Sequence, residues 1–324
     1  MRTTTLGRSG LEVSRIAYGT WQLGGDWGDV DESAVLTAIR SAHELGINLF
    51  DSAQGYGFGS AEELLGRALR STLDTDRESV VLATKGGINP GSDRTRDARA
   101  PYLRAGVEAS LRALGVDYID LYQVHWPDPA TPAEETATAL QELVDEGKIR
   151  HVGVSNYDVA ELAAFEAVRP VETLQSPLHL FQREVQDEIL PYARRLDLGF
   201  LAYSPLGSGM LSGALEPTTR FTDPDWRAGA SAFTGDTFTR NLAIVDDLAA
   251  FAARRSMTVA QLAVAWVLAQ EGVNVAIVGA RRPKNIQTAA EAADLTLTDD
   301  DLVEIDKITA GAVPVLGSTP EGPL

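Results

Sequence analysis

The 324-residue chain contains no cysteine. Disulfides, thiol nucleophiles and cysteine-ligated metal or iron–sulfur centres are therefore excluded, and the absence suits a reducing compartment. Basic residues are also scarce, with 28 Lys+Arg against 46 Asp+Glu and a formal net charge of −18. So acidic a surface repels polyanions, which argues against nucleic acid or an anionic membrane as a partner and requires any anionic ligand to be held by a local positive site. No run approaches the roughly 20 apolar residues of a membrane helix. The opening MRTTTLGRSGLEVSRIAYGT lacks the apolar centre of a secretory signal. The expectation is a soluble, cytoplasmic protein. What the chain does have is an ordinary share of hydrophobic residues, 44%, and a length compatible with one (β/α) barrel or two smaller domains.

After TTLGRSGLEV, where a glycine-containing turn between short alternating runs predicts a hairpin, apolar strand-like runs alternate with amphipathic helices to the end. Eight runs qualify as strands: residues 15–20, 47–52, 79–85, 119–125, 150–155, 171–176, 199–204 and 274–280. Strands apolar throughout and separated by helices imply parallel pairing beneath a helical layer. Eight such units in succession favour a closed (β/α)8 TIM barrel, spanning residues 1–324 as a single domain, over an open sheet. YGTWQLGGDWGDV also lacks the glycine offsets of a Rossmann turn. The irregular stretch from Gly207 to about Asn241 follows the seventh strand and is too long for an idle connection. It is expected at the barrel mouth.

Barrel enzymes draw their chemistry from the C-terminal ends of strands. Here the second strand ends on Asp51 with Tyr56 in the loop beyond, the third on Lys85 and the fourth on His125. Three have a plain structural explanation alone, Asp51 as an Asx turn, Tyr56 as a loop phenol and His125 as a structural imidazole, whereas Lys85 directly follows the apolar run VVLAT, where a lysine is seldom buried unpaired. Four at successive strand ends point to a site. A tyrosine of pKa about 10 is a weak acid at neutral pH. A neighbouring ammonium, Lys85, is expected to lower that value, with Asp51 balancing the lysine. His125 can donate a hydrogen bond to a carbonyl oxygen. The set is a proton donor beside a site for a developing alkoxide, and it lacks only a hydride source, which no side chain supplies.

FDSAQGYG, LATKGG and DLYQVHWPD, in this order, resemble the aldo-keto reductase family, and the resemblance extends over essentially the whole chain. It implies that Tyr56 exchanges a proton with the carbonyl or alcohol oxygen while a nicotinamide exchanges hydride with the carbon. Asp51, Lys85 and His125 complete the tetrad. Gly19, Thr20 and Trp21 of GTW then border the nicotinamide, with Asp51 also in contact. Ser155, Asn156 and Gln175 hold its carboxamide, and Tyr203 stacks on the ring. Ser204, Pro205, Leu206, Ser208 and Leu211 of AYSPLGSGML line the pyrophosphate. In VGARRPKNI, Gly279, Arg281 and Asn285 bind the adenosine end, and Arg281 placed for a 2′-phosphate makes NADPH the favoured cofactor with NADH as the alternative. The sequence departs from the family's usual Gln or Arg at Asn285 and from its Glu-Asn pair at Thr288 and Ala289. No metal is expected.

Lysines at barrel strand ends also serve Schiff-base aldolases, but that reading leaves the tyrosine, the histidine and GARRP unexplained. A cofactor-binding regulatory or sensor module with slow turnover is the second alternative. Trp21, Tyr56, His125 and Trp126 are expected to face a small carbonyl substrate. Trp226, Phe233 and Phe238 are read either as closing over the pocket or as anchors of the long segment.

Overall fold

The computed structural model describes residues 1–28, 30–90, 92 and 94–323. A two-stranded antiparallel hairpin, β1 (Thr3–Thr5) and β2 (Glu12–Ser14), precedes the barrel. Eight strands then close in the order β10 (Val273–Gly279), β3 (Ile16–Gly19), β4 (Leu49–Asp51), β5 (Val81–Gly86), β6 (Ile119–Val124), β7 (Ile149–Ser155), β8 (Thr173–Pro177) and β9 (Gly199–Tyr203). Every barrel pair is parallel. The eight runs read from sequence are these eight strands, with ends that agree to within two residues.

The helices are α1 (Glu32–Glu44), α2 (Ser60–Thr75), α3 (Ala100–Leu114), α4 (Ala133–Asp145), α5 (Val159–Glu166), α6 (Ile189–Arg195), α7 (Gly235–Ala253), α8 (Val259–Ala269), α9 (Pro283–Ala292) and α10 (Asp299–Thr309). Local chemistry marks their starts. Asp158 with Glu161, Thr258 with Gln261 and Thr298 with Asp301 each form a reciprocal capping box, satisfying amides that have no partner inside the helix.

Strand periodicity divides the side chains between two cores. Even-numbered strand residues such as Ile16, Tyr18, Phe50, Leu82, Tyr122, Val152 and Phe200 pack outward beneath the helices. Odd-numbered ones, including Ala17, Leu49, Val81, Leu121, Leu201 and Val275, fill the barrel, where Leu6 and Val13 of the hairpin plug the N-terminal end. Arg15 seals the seam beside them, donating to the carbonyls of Leu268, Val273 and Asn274.

The long segment after β9 is more ordered than its composition implies. Short 3-10 turns occupy Gly207–Ser212, Trp226–Gly229 and Ser231–Phe233, and α7 begins at Gly235, so the expected irregular stretch ends earlier than Asn241. The first turn of α7 is polar and its apolar face opens only with Phe238, which hides the start of the helix from a hydrophobic pattern. Beyond α10 the tail forms a second hairpin, β11 (Ser318–Thr319) and β12 (Gly322–Pro323). No sequence pattern announces it, because Gly317–Gly322 has no apolar alternation.

His179, in the loop after β8, is buried, and its Nδ1 accepts the Phe181 amide at 3.2 Å. Burial lowers its pKa to about 4. With the folded value below the unfolded one, its contribution to stability is complete above about pH 6.5 and is lost as pH falls toward 4. Between pH 7 and pH 5, urea unfolding of the native protein is expected to lose about 2 kcal/mol more than that of His179→Gln, which keeps an acceptor but does not titrate. Equal losses would remove His179 as a source of acid sensitivity.

Candidate active site

The inward, odd-numbered positions change character along the barrel. Near the hairpin they are apolar; at the C-terminal end they become Asp51, Lys85, Gln123, Ser155, Gln175 and Tyr203. A cavity of about 1220 Å³ opens above them. Of the residues singled out from sequence, Gly19, Thr20, Trp21, Asp51, Tyr56, His125, Trp126, Ser155, Asn156, Gln175, Tyr203, Ser204, Pro205, Leu206, Ser208, Gly279, Arg281 and Asn285 line it. Lys85 and Leu211 do not. Lys85 is fully enclosed behind the wall. Leu211 packs in the outer core, and its backbone N–H is spent on the Leu206 carbonyl, so it presents no donor to the cavity.

The floor is a hydrogen-bonded array centred on Asp51. Lys85 Nζ donates to Asp51 Oδ2 at 2.6 Å and to the Ser52 carbonyl at 2.8 Å. Oδ1 accepts from Gln175 Nε2 at 3.0 Å and from Gln123 Nε2 at 3.3 Å. The Lys85 ammonium lies 5.1 Å from the Tyr56 ring centroid, and the Tyr56 and His125 rings meet edge to face at 5.5 Å. Asn156 joins the rim together: its Nδ2 donates to the His125 carbonyl and to Ser155 Oγ, and its Oδ1 accepts from the Tyr203 hydroxyl at 2.8 Å.

Burial, and after it the charge of Asp51, raises the Tyr56 pKa well above its ordinary value. This reverses the expectation drawn from Lys85. The ammonium is bonded to Asp51 and Ser52, so the carboxylate's field cancels much of its effect on the phenol. Burial lowers Lys85 itself, opposed by the charge and hydrogen bond of Asp51. Burial and then Lys85 depress His125 far below the usual imidazole range, making it neutral at neutral pH. Its Nδ1 has no partner among the described residues.

Along the wall from β9 to α9, Ser204, Ser208 and, across the mouth, Asn156 adopt left-handed backbone with φ of 55°, 53° and 63°. Non-glycine residues hold this conformation at a cost and concentrate at ligand-binding sites. At the far end, Arg281, Arg282 and Asn285 gather at the N-terminus of α9, where backbone dipoles also favour an anion. A cavity with amide and hydroxyl groups at one end and guanidinium groups at the other has the donors to hold a polar, anionic ligand.

Two straps cross the mouth. In the first, Trp226 stacks on Trp21 at 5.7 Å, both meet Trp27 edge-on, and the Trp226 amide donates to the Asp26 carbonyl. Arg227 forms a bidentate pair with Asp225, donates to the Ser208 carbonyl at 3.1 Å, and lies over the rings of Phe221 and Trp27. Of the three aromatic residues left open by the sequence, only Trp226 lines the cavity; Phe233 and Phe238 are buried anchors beneath the strap. The second strap is the C-terminal hairpin. Its Glu321 takes two hydrogen bonds from Arg96, which lies 4.9 Å over the Trp126 ring.

The fold and this mouth define a barrel oxidoreductase, and comparison with known proteins agrees. The model of the Aldo/keto reductase family matches residues 15–310, and the chain belongs to that family. It is 39% identical to aldo-keto reductase YhdN of Bacillus subtilis, covering 100% of this chain and 97% of the relative. It is 33% identical to the NADH-specific methylglyoxal reductase of Escherichia coli, covering 93% and 96%. Among solved structures, it resembles the glycerol dehydrogenase AKR11B4 from Gluconobacter oxydans, with a TM-score of 0.85 at 39% identity over 97% of this chain and 96% of that one. An aldo/keto reductase from Klebsiella pneumoniae in complex with NADP and acetate gives 0.74 at 29% identity, covering 97% and 98%. The chain is accordingly a nicotinamide-dependent oxidoreductase of carbonyl compounds.

Arg227 is the tie between the first strap and the wall beneath it, so Arg227→Ala is expected to loosen the strap without unfolding the barrel. Trypsin cleavage after the exposed Arg220 should accelerate on the order of tenfold, reflecting easier local opening. An unchanged cleavage rate would show that the tryptophan stack alone holds the strap.

Proposed function

We propose that this enzyme reduces aldehydes or ketones to alcohols with Tyr56 as proton donor and NADPH as the favoured cofactor. The observation that carries the reading is the meeting of Tyr56 and His125, edge to face at 5.5 Å, at the floor of the cavity beside the Lys85–Asp51 pair. A bound reduced nicotinamide supplies hydride. Tyr56 keeps its proton at neutral pH and gives it to the carbonyl oxygen as negative charge develops there. His125, as neutral imidazole, donates a hydrogen bond to the same oxygen and orients it. Lys85 and Asp51 fix the electrostatic floor: the ammonium, 5.1 Å from the ring and partly offset by the carboxylate it is bonded to, is the positive charge beside the phenolate left after proton transfer.

Ser155, Asn156 and Gln175 are assigned to the carboxamide end of the cofactor and Tyr203 to its ring. The Ser204–Ser208 stretch, left-handed at Ser204, Gly207 and Ser208, is assigned to the pyrophosphate and Asn285 to the adenosine. Arg281 and Arg282, cations at a helix N-terminus in an otherwise acidic protein, support a 2′-phosphate and hence NADPH. The NADH-specific relative makes this the assignment most in need of a test. Trp21, Trp126 and Trp226 give the substrate end apolar walls, suited to small or aromatic carbonyl compounds.

NADPH consumption with a nitrobenzaldehyde tests the reading. Tyr56→Phe is expected to lower kcat by about a thousandfold or more while leaving cofactor affinity within about twofold. A variant that still turns over would remove Tyr56 as the donor. A native protein that binds NADPH but reduces no carbonyl would favour the sensor reading.

Arg281→Ala should weaken NADPH by about ten- to a hundredfold and NADH by much less, the loss of one charge-assisted contact. Equal weakening would place the phosphate elsewhere. Because Tyr56 is shifted upward and His125 far downward, the kcat profile for reduction should show no limb near pH 6.5 and should fall only in the alkaline range. A limb at the ordinary imidazole pKa would mean that His125 is charged in the working site.

A further inference from the structure

Gln123 is the polar residue of the inner floor that none of these assignments uses. It is fully buried, and strand register sets it beside Lys85 of β5 on one side and Gly153 of β7 on the other. Its amide bridges two other groups: Nε2 donates to Asp51 Oδ1 at 3.3 Å, and Oε1 accepts from Gln175 Nε2 at 3.3 Å. Gln175 Nε2 also donates to Asp51 Oδ1, so the three side chains form a closed triangle.

The barrel makes room for this triangle at a cost. A Cβ on Gly153 would lie 2.9 Å from Gln123 Cγ and 2.1 Å from Thr173 Oγ1, so the row accepts both polar side chains only because position 153 has none. An apolar residue at 123 would fill the barrel without burying an amide, whose desolvation must be recovered in hydrogen bonds.

We propose that Gln123 is a positioning residue that couples the ion-paired Asp51 to the cofactor-facing Gln175, so that proton donor and cofactor site are aligned by one array. With its N–H side committed to Asp51 and Gln123, Gln175 leaves Oε1 as the amide atom available to a ligand. That acceptor suits the –NH2 of a carboxamide. Without Gln123, the Gln175 amide loses the contact that fixes which end faces the cavity, and Asp51 Oδ1 loses one of its two donors. The inference rests on the proposed function for the meaning of the site, but its contacts are independent of it.

The titratable groups facing Asp51 and Lys85 are Tyr56 from the loop after β4, His125 after β6, Glu62 from α2, whose charge acts on Lys85, and Tyr203 at the end of β9, whose neighbour in charge is Tyr56. A carboxylate in place of Gln123 adds negative charge to this set and disfavours deprotonation of the phenol and the ammonium.

The experiment compares the full-length native enzyme with Gln123→Leu and Gln123→Glu by NADPH binding, kcat against pH with a nitrobenzaldehyde, and thermal midpoint. Gln123→Leu is expected to weaken NADPH about five- to tenfold and to lower kcat about tenfold, with little change in aldehyde KM. Gln123→Glu should move the alkaline limb of kcat upward by at least about half a pH unit. A purely structural role would lower the midpoint without moving the limb or the cofactor Kd, and that result in folded variants overturns the proposal. If Gln123→Leu does not fold, the isosteric Gln123→Glu decides the matter through the limb and the Kd. A native protein with no carbonyl turnover refutes the proposed function instead, and NADPH affinity of the two variants then decides the role of Gln123.

Discussion

The lysine–carboxylate pair inside the barrel is the constraint around which the mouth is arranged. Lys85 is completely enclosed, and a buried ammonium is tolerated only when paired and hydrogen-bonded. Asp51 meets that need with one oxygen, the Ser52 carbonyl shares it, and the other carboxylate oxygen is held by two amides. The pair thus recruits groups from β4, β5, β6 and β8. Removing either member would leave an uncompensated charge in the barrel, a loss on the order of 3–5 kcal/mol. The burial that makes the pair costly extends to the imidazole and in part to the phenol above it, which moves their pKa values in opposite directions.

The barrel supplies the floor, while the walls come from connections that meet far from where they start in sequence. Tryptophans from the β3–α1 loop and the β9–α7 segment stack together, and Arg227 converts that contact into a tie on the Ser208 carbonyl. The C-terminal hairpin reaches Arg96 by a bidentate ion pair. Guanidinium groups recur at these junctions because a planar, delocalised cation can stack on a ring and still direct its N–H groups at oxygen. At these junctions each guanidinium is also paired with a carboxylate, Arg227 with Asp225 and Arg96 with Glu321, so the ties add no net charge to the mouth.

Much of the barrel was legible in the sequence, for a definite reason. Parallel strands buried on both faces are apolar runs, and their period of two fixes which residues look inward. Asp51, Lys85 and His125 stand out because they interrupt that pattern at strand ends. Gln123 carries the same signal, sharing parity with Leu121 and His125 within LYQVH, but stands inside its strand and not at the end from which barrel enzymes draw their chemistry. The straps were not legible. Their order comes from contacts such as Trp226 on Trp21 and Glu321 on Arg96, which no local period encodes. The sign of the Tyr56 shift was equally hidden, since it turns first on how far the fold buries the phenol and then on the charge of Asp51 beside it.

That sign bears on what the two groups offer a substrate. A phenol made acidic by a nearby ammonium would spend part of its time as phenolate, ready to accept a proton from an alcohol. The half-buried Tyr56 instead retains its proton, and a neutral His125 beside it can offer an N–H to the same oxygen. On the proposed reading, both groups are donors before any substrate arrives, matched to an oxygen gaining negative charge. A raised pKa also makes the phenol a weaker acid and its phenolate a stronger base, so the same pair serves the proton transfer both ways and the direction follows from which substrate and which cofactor state are bound.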